Sequence, residues 1–344
     1  MSTSEVSRDA AQIAAAPPGK RAAPVWQKAL PYLGTLAIFA LIFWRIPFAK
    51  VGAALRQVPV LKFVALFMPY SLFYFAIDSL CLTWVIRRFN APVRVRDILP
   101  IRASMYLLAL INTNLGQGGV AYYLHRKERI GFLAALSSIL FIALMEVYQL
   151  FLFSTVGVLF YTPETATQRE IAGVLRIAYV VAWLALAAII IFFAIARRRD
   201  SIRQWIEMGR AGAIAATFLR ARPLDYFIVL AIKAPSFLVS VVVQYFALAL
   251  YGITIPFLKL MLFLPLVFLA AALPISVAHL GTSQAAWLLL FSGNAPDAAI
   301  LAYSLAAHFT FMFCNGVIGL IFLPRASREL TAVQDDAAGE AAAG

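Results

Sequence analysis

Long runs of apolar residues dominate the chain, at about 30–46, 61–86, 98–124, 132–161, 174–196, 224–251, 257–293 and 297–323. A helix needs roughly 20 apolar residues to cross the hydrocarbon core of a bilayer, so these runs predict membrane helices. The first is slightly short, and 132–161 and 224–251 are long enough to tilt. The runs 98–124 and 257–293 differ from the rest, because Gly, Pro or polar residues interrupt each near its middle. The apolar runs are continuous rather than alternating, which excludes a spanning β-barrel. The fold class predicted is all-α.

The charges between the runs orient them. Residues 197–222 carry Arg197, Arg198, Arg199, Arg203, Arg210, Arg220 and Arg222 against Asp200 and Glu207. An excess of this kind marks a cytoplasmic loop. Arg87, Arg88, Arg94 and Arg96 against Asp97 mark 87–97 as cytoplasmic too, and so do His125, Arg126, Lys127 and Arg129 for 125–129. Glu164, Arg169 and Glu170 suit 162–173 to the outside. Both flanks of 98–124 are therefore cytoplasmic, which one crossing cannot satisfy. A re-entrant hairpin that enters and leaves on that side does satisfy it. The run 257–293 follows an uncharged outer flank and precedes a last span ending at Arg325 and Arg328, so it becomes a second hairpin, entering from outside. The expected architecture is about six spanning helices plus two opposed re-entrant hairpins, with both termini inside. Residues 45–62, with Arg45, Lys50, Arg56 and Lys62, fall outside against the rule unless a short amphipathic segment lies on the membrane there. Ile202, Trp205 and Ile206 are spaced for an interfacial helix.

The two hairpins share a pattern. Leu115-Gly116-Gln117-Gly118-Gly119-Val120-Ala121-Tyr122 and Leu280-Gly281-Thr282-Ser283-Gln284-Ala285-Ala286-Trp287 both read Leu-Gly-x-x-x-(Val/Ala)-Ala-aromatic, and Leu99-Pro100 and Leu264-Pro265 lie 165 residues apart. With the spans around them running in opposite directions, this predicts an inverted repeat, about 61–161 and 224–323, within a membrane domain at 29–325. Broken segments near the midplane of such repeats form binding sites in secondary transporters.

Composition agrees. Hydrophobic residues make up 63% of the chain and charged residues 13%, against about 45–50% and 25% in soluble domains. An ordinary soluble enzyme is excluded. The net charge of +13 fits basic loops facing anionic lipid, and no nucleic-acid motif accompanies it. Cys81 and Cys314 lie inside apolar runs as small core residues, too few for a disulfide framework or a metal site. Residues 1–28, rich in Ala, Pro and Ser, predict a disordered cytoplasmic tail without a signal-peptide cleavage pattern. Residues 326–344 predict a second tail.

Ionisable side chains in a bilayer cost about 2.5–3.5 kcal/mol each on insertion scales, so they face a cavity or a partner. The candidates are Asp78, Glu146, Lys233, His279 and His308. Asp78 and Lys233 are expected to pair or to serve transport. Glu146 shares a helix face with Gln149 and is expected at a polar cavity. Asn112 and Asn114 precede the first hairpin's glycines and His279 precedes the second's, where freed N–H groups suit a phosphate oxygen. The expected substrate-binding set is Asn112, Asn114, Gly116, Gln117, Glu146, His279, Gly281 and Gln284, with no catalytic residue, metal or cofactor.

The stretches Leu273–Ala286 and Asn112–Arg126, the latter followed by Met145-Glu146, resemble the flippase-like membrane domain of lysylphosphatidylglycerol synthases. The resemblance covers roughly residues 30–325. It implies lipid movement, and stand-alone relatives are associated with hopanoid or polyprenol-linked lipids. It departs at both hairpins. Gln117 stands where the family carries an acid, Val120 where it carries an Arg, and Gln284 where it carries a Glu. Val277-Ala278-His279-Leu280-Gly281 replaces Pro-Gly-Gly-x-Gly. Amides keep size and hydrogen bonding but lose charge, which implies a different or less basic lipid. The aminoacyl-transfer domain of the synthases is not matched, so lipid aminoacylation is not expected.

The expectation is a multi-pass lipid transporter of the bacterial cytoplasmic (inner) membrane, moving a phospholipid, hopanoid or polyprenyl-linked lipid. Its partners would be membrane lipids and, as a candidate, a lipid-synthesising enzyme. Gly19-Lys20 lacks the upstream glycine of a nucleotide-binding P-loop, so direct ATP drive is not expected. The alternatives are an intramembrane serine hydrolase using Ser283 and His308, and a non-transporting partner of a lipid synthase.

Overall fold

The structure, a computed structural model, describes residues 36, 38–44, 46–56, 59–111, 113–160, 162, 166–198, 210–272 and 280–343. Every regular element among them is helical: α1 Ile38–Trp44, α2 Phe48–Arg56, α3 Val60–Phe89, α4 Val95–Ile111, α5 Thr113–Lys127, α6 Phe132–Phe160, α7 Ala166–Arg198, α8 Arg210–Arg220, α9 Pro223–Leu250, α10 Phe257–Ala272, α11 Thr282–Phe291 and α12 Asp297–Ala343. Among the described residues, α3, α6, α9 and α12 are each long and apolar enough to cross a membrane. A fifth crossing arises if α1 and α2 count as one span bent by 94°. In α7, 33 residues long, the apolar stretch is Arg176–Ala188.

Side-chain contacts give the helix directions. Along α3 and α9, Phe63 meets Tyr251, Asp78 meets Lys233 and Arg88 meets Asp225, so the two helices are antiparallel. Along α3 and α12, Phe63 meets Tyr303, Tyr70 meets Phe311 and Phe75 meets Phe322, so these run together. Helices α6 and α9 also run together, through Phe141 with Tyr226 and Phe153 with Phe237. The first span of each half, and likewise the last, thus points opposite to its counterpart. This is inverted topology.

The interrupted runs fold back as expected. A Cβ on Gly119 would collide with the Met105 side chain, and one on Gly116 would sit 3.1 Å from the Met105 carbonyl oxygen and from the Ala109 Cβ. Helices α4 and α5 are therefore the two arms of an antiparallel hairpin. Both its ends reach the same stretch of α12: Arg325 Nη2 donates to the Arg96 carbonyl at 3.4 Å, and Lys127 Nζ donates to Glu329 Oε2 at 2.8 Å. At the opposite end of the bundle, Lys259 Nζ donates to Asn294 Oδ1 at 3.0 Å, joining the start of α10 to the turn after α11. That pair is the second hairpin, entering from the other side.

Each hairpin packs against the last span of the other half, and a glycine permits the contact. A Cβ on Gly157 of α6 would collide with the Leu262 carbonyl of α10, and one on Gly319 of α12 would sit 2.9 Å from the Ala103 carbonyl of α4. The two glycines are 162 residues apart.

One end of the bundle collects Arg87, Arg88, Arg94, Arg96, Arg126, Arg129, Arg220, Arg222, Arg325 and Arg328. The loop that opposed the charge rule holds α2, turned by 94° from α1, which seats Val51 on Leu301 and Ala302 of α12. Helix α12 continues past Leu323 to Ala343, into the stretch 326–344 expected as a tail. Ala326 is buried and Glu329 is bonded to the first hairpin, so this stretch begins as packed helix. Ala and Glu are strong helix formers, and a tertiary contact holds the first turn. The tail at 1–28 and the interfacial segment around Trp205 lie outside the described residues.

Candidate functional site

Four ionisable side chains from four helices meet, three from the first half and Lys233 from the second. Asp78 on α3 pairs with Lys233 on α9 at 2.9 Å and with Arg102 on α4. Lys233 also pairs with Glu146 on α6. The result is an alternating chain Arg102–Asp78–Lys233–Glu146 with no net charge. Tyr106 Oη donates to Asp78 Oδ2 at 3.2 Å, the Arg102 guanidinium lies 5.6 Å from the centre of the Tyr106 ring, and the Lys233 ammonium lies 5.2 Å from that of Tyr74. Gln149 Nε2 donates to the Leu230 carbonyl at 2.9 Å, tying α6 to α9 next to the network. Glu146 is 34% exposed against 4% for Lys233 and 2% for Asp78, so the chain of charges is accessible at Glu146. At roughly 1.5 Å per residue, the four positions lie about 10–20 Å from the basic end of the bundle.

The second half holds a cavity of about 190 Å³ at the corresponding place. Gln244, Ser283, Ser304 and His308 contribute polar groups to its lining, and Phe67, Tyr70, Phe268 and Trp287 contribute aromatic walls. It lies between α3, α9, α10, α11 and α12. His308 follows Glu146 by 162 residues, the spacing that also separates Gly157 from Gly319. The repeat thus carries a self-neutralised charge network on one side and an uncharged cavity on the other.

Of the expected site residues, Glu146 joins the network. Gly281 caps α11 at φ +95°, which only glycine adopts without strain, and its N–H donates to Gln284 Oε1 at 2.7 Å. Gln284 is buried and uses that oxygen to cap the helix, also accepting from Ser283 Oγ at 3.2 Å. Its amide nitrogen has no partner among the described residues. Gly116 is the close-approach point inside the first hairpin. Gln117 is half-buried on α5. Asn114 lies on α5, and its side chain is outside the described residues, as are Asn112 and His279. No group of three or more metal-ligating side chains occurs among the described residues.

Arg102, Tyr74 and Tyr106 escape the sequence reading. Arg102 lies in the first arm of a hairpin, close to a basic loop, and so reads as a flank. The signal for it was charge balance: Asp78, Glu146 and Lys233 leave one acid unmatched, and Arg102 is the sole Lys or Arg in 98–124.

The family model described as lysylphosphatidylglycerol synthase TM region matches residues 29–319. No curated protein and no solved structure matches the chain.

Proposed function

The chain belongs to the family of the lysylphosphatidylglycerol synthase transmembrane region, and from that premise we propose that it moves a polar-headed lipid between the leaflets of a bacterial cytoplasmic membrane. The carrying observation is the pair of opposed hairpins, each braced on the other half of an inverted repeat, with polar groups buried beside them about halfway along the spans. Carrying a headgroup through hydrocarbon requires partners for its polar atoms along the way, while the tails stay in lipid. Glu146 and the cavity side chains Gln244, Ser283, Ser304 and His308 supply such partners from the two halves. The arginine-rich end lies against the anionic surface of the cytoplasmic leaflet by charge. In this reading the protein is a transporter rather than an enzyme, its partners are membrane lipids, and repeat inversion lets one site face either side.

The test is reconstitution into liposomes with fluorescent lipids of several headgroup classes. Faster leaflet exchange than in protein-free liposomes, for at least one class, is expected. No acceleration for any class would overturn the proposal.

One observation favours a second reading: Ser283 and His308 line the same cavity, and a serine beside a histidine is the minimal hydrolytic pair. Labelling of wild-type protein, and not of Ser283→Ala, by a fluorophosphonate probe would select that reading.

A further inference from the structure

We infer that the cavity of the second half takes an uncharged, hydroxyl-bearing lipid headgroup, such as a single sugar or a glycerol, rather than a phosphate or an ammonium. The inference rests on the lipid-translocation reading and names its substrate class. The network Arg102–Asp78–Lys233–Glu146 pairs every charge with an opposite one, so it has no surplus charge to offer a ligand. Among the described residues, the cavity lining has no Lys, Arg, Asp or Glu at all. A phosphate or an ammonium entering it would be an uncompensated charge in a low-dielectric site, which is strongly disfavoured.

What the lining does offer is complementary to hydroxyl groups. Ser283 Oγ and Ser304 Oγ give their protons to Gln284 Oε1 and to the Leu301 carbonyl and keep lone pairs as acceptors, Gln244, whose Oε1 accepts from Tyr303 Oη, keeps its amide N–H groups as donors, and Phe67 and Trp287 present flat aromatic surface. Aromatic faces cover the C–H side of a sugar ring while amide, hydroxyl and imidazole groups meet its hydroxyls. Size agrees as well. One water takes roughly 10–15 Å³ of such space, so a cavity of about 190 Å³ has room for on the order of ten heavy atoms. That is one ring or one glycerol. Depth agrees too: Ser304 and His308 lie in the third and fourth turns of α12, and Gln244 is in the last two turns of α9. The cavity is therefore inside the span, where a headgroup in transit needs a polar partner.

The experiment is leaflet exchange by the full-length wild-type protein in liposomes. The tail-labelled fluorescent probes are a monoglucosyl diacylglycerol (uncharged), a phosphatidylglycerol (anionic) and a lysine-esterified phosphatidylglycerol (cationic). The glucosyl lipid is expected to exchange at least tenfold faster than either charged lipid. Two space-filling variants, Ala271→Phe and Ser304→Leu, are expected to cut glucosyl exchange about tenfold while helical circular dichroism and elution volume stay unchanged. If a charged lipid exchanges as fast as the glucosyl lipid or faster, the headgroup assignment falls while translocation stands. If no lipid exchanges, both fall. If a correctly folded space-filling variant keeps the wild-type rate, the assignment to this cavity falls. Selectivity is measured on the wild type, so a misfolded variant does not shield the inference.

Discussion

Lys233 is the residue on which the buried electrostatics turn. It is 4% exposed and faces two carboxylates, those of Asp78 and Glu146. Removing one member of a buried pair costs about 3–5 kcal/mol, because its partner is left charged and dry. Lys233→Met is therefore expected to destabilise the detergent-solubilised protein by about that amount, read as a fall in the melting temperature. The double variant Asp78→Asn/Lys233→Met restores zero net charge at the site, with Arg102 and Glu146 remaining. It is expected to recover part of the loss, as a double-mutant cycle would measure. A double variant less stable than Lys233→Met alone would contradict the charge-balanced network. Asp78, Glu146 and Lys233 were legible in the sequence because a charge inside an apolar run stands out. Their common meeting point was not, since 155 residues separate Asp78 from Lys233.

At the scale of elements, the reciprocal glycines control how closely the halves engage. Gly157 and Gly319 let α10 and α4 bring backbone carbonyls against the opposite span. At Gly157 the obstacle is the Leu262 backbone, and at Gly319 it is the Ala103 carbonyl together with the Leu107 side chain; a backbone group cannot swing aside as the end of a flexible side chain can. Gly157→Ala and Gly319→Ala are each expected to cost about 1–3 kcal/mol through overpacking, checked by thermal unfolding in detergent. Gly52→Ala serves as the comparison, because a Cβ there would meet nothing within 4 Å. Equal melting temperatures for all three variants would show that the halves are not held this tightly. The hairpins themselves were readable as broken apolar runs with basic loops at both flanks of the first. The glycines that seat them were not, for neither lies in a recognisable motif; only the partner's backbone gives each its meaning.

For the whole molecule the decisive quantity is sidedness. The ends of α3 and α5, the starts of α4 and α9 and the 325–329 stretch of α12 meet at one face through Arg88–Asp225, Lys127–Glu329 and the Arg325 contact to Arg96. Lys259 belongs to the opposite face. In right-side-out and inverted vesicles, Arg87→Cys and Arg126→Cys are expected to react with an impermeant maleimide from the same side, and Lys259→Cys from the other. The native Cys81 and Cys314 are buried and should stay silent. Reaction of the Arg87→Cys and Arg126→Cys proteins from opposite sides would make α4 and α5 a crossing rather than a hairpin.

Membrane class, the all-helical fold and the two interrupted runs follow from the sequence. Hydropathy and loop charge act locally: each residue's transfer cost depends chiefly on what it is and how deep it lies. The partner of each buried charge, the exchange of hairpins between halves and the uncharged cavity opposite the charged network came only from the tertiary structure. These depend on which helix faces meet. In lipid, no hydrophobic driving force decides that choice. Close packing at Gly157 and Gly319 and the pairing of charges far apart in the chain decide it instead, and no window of sequence contains both partners.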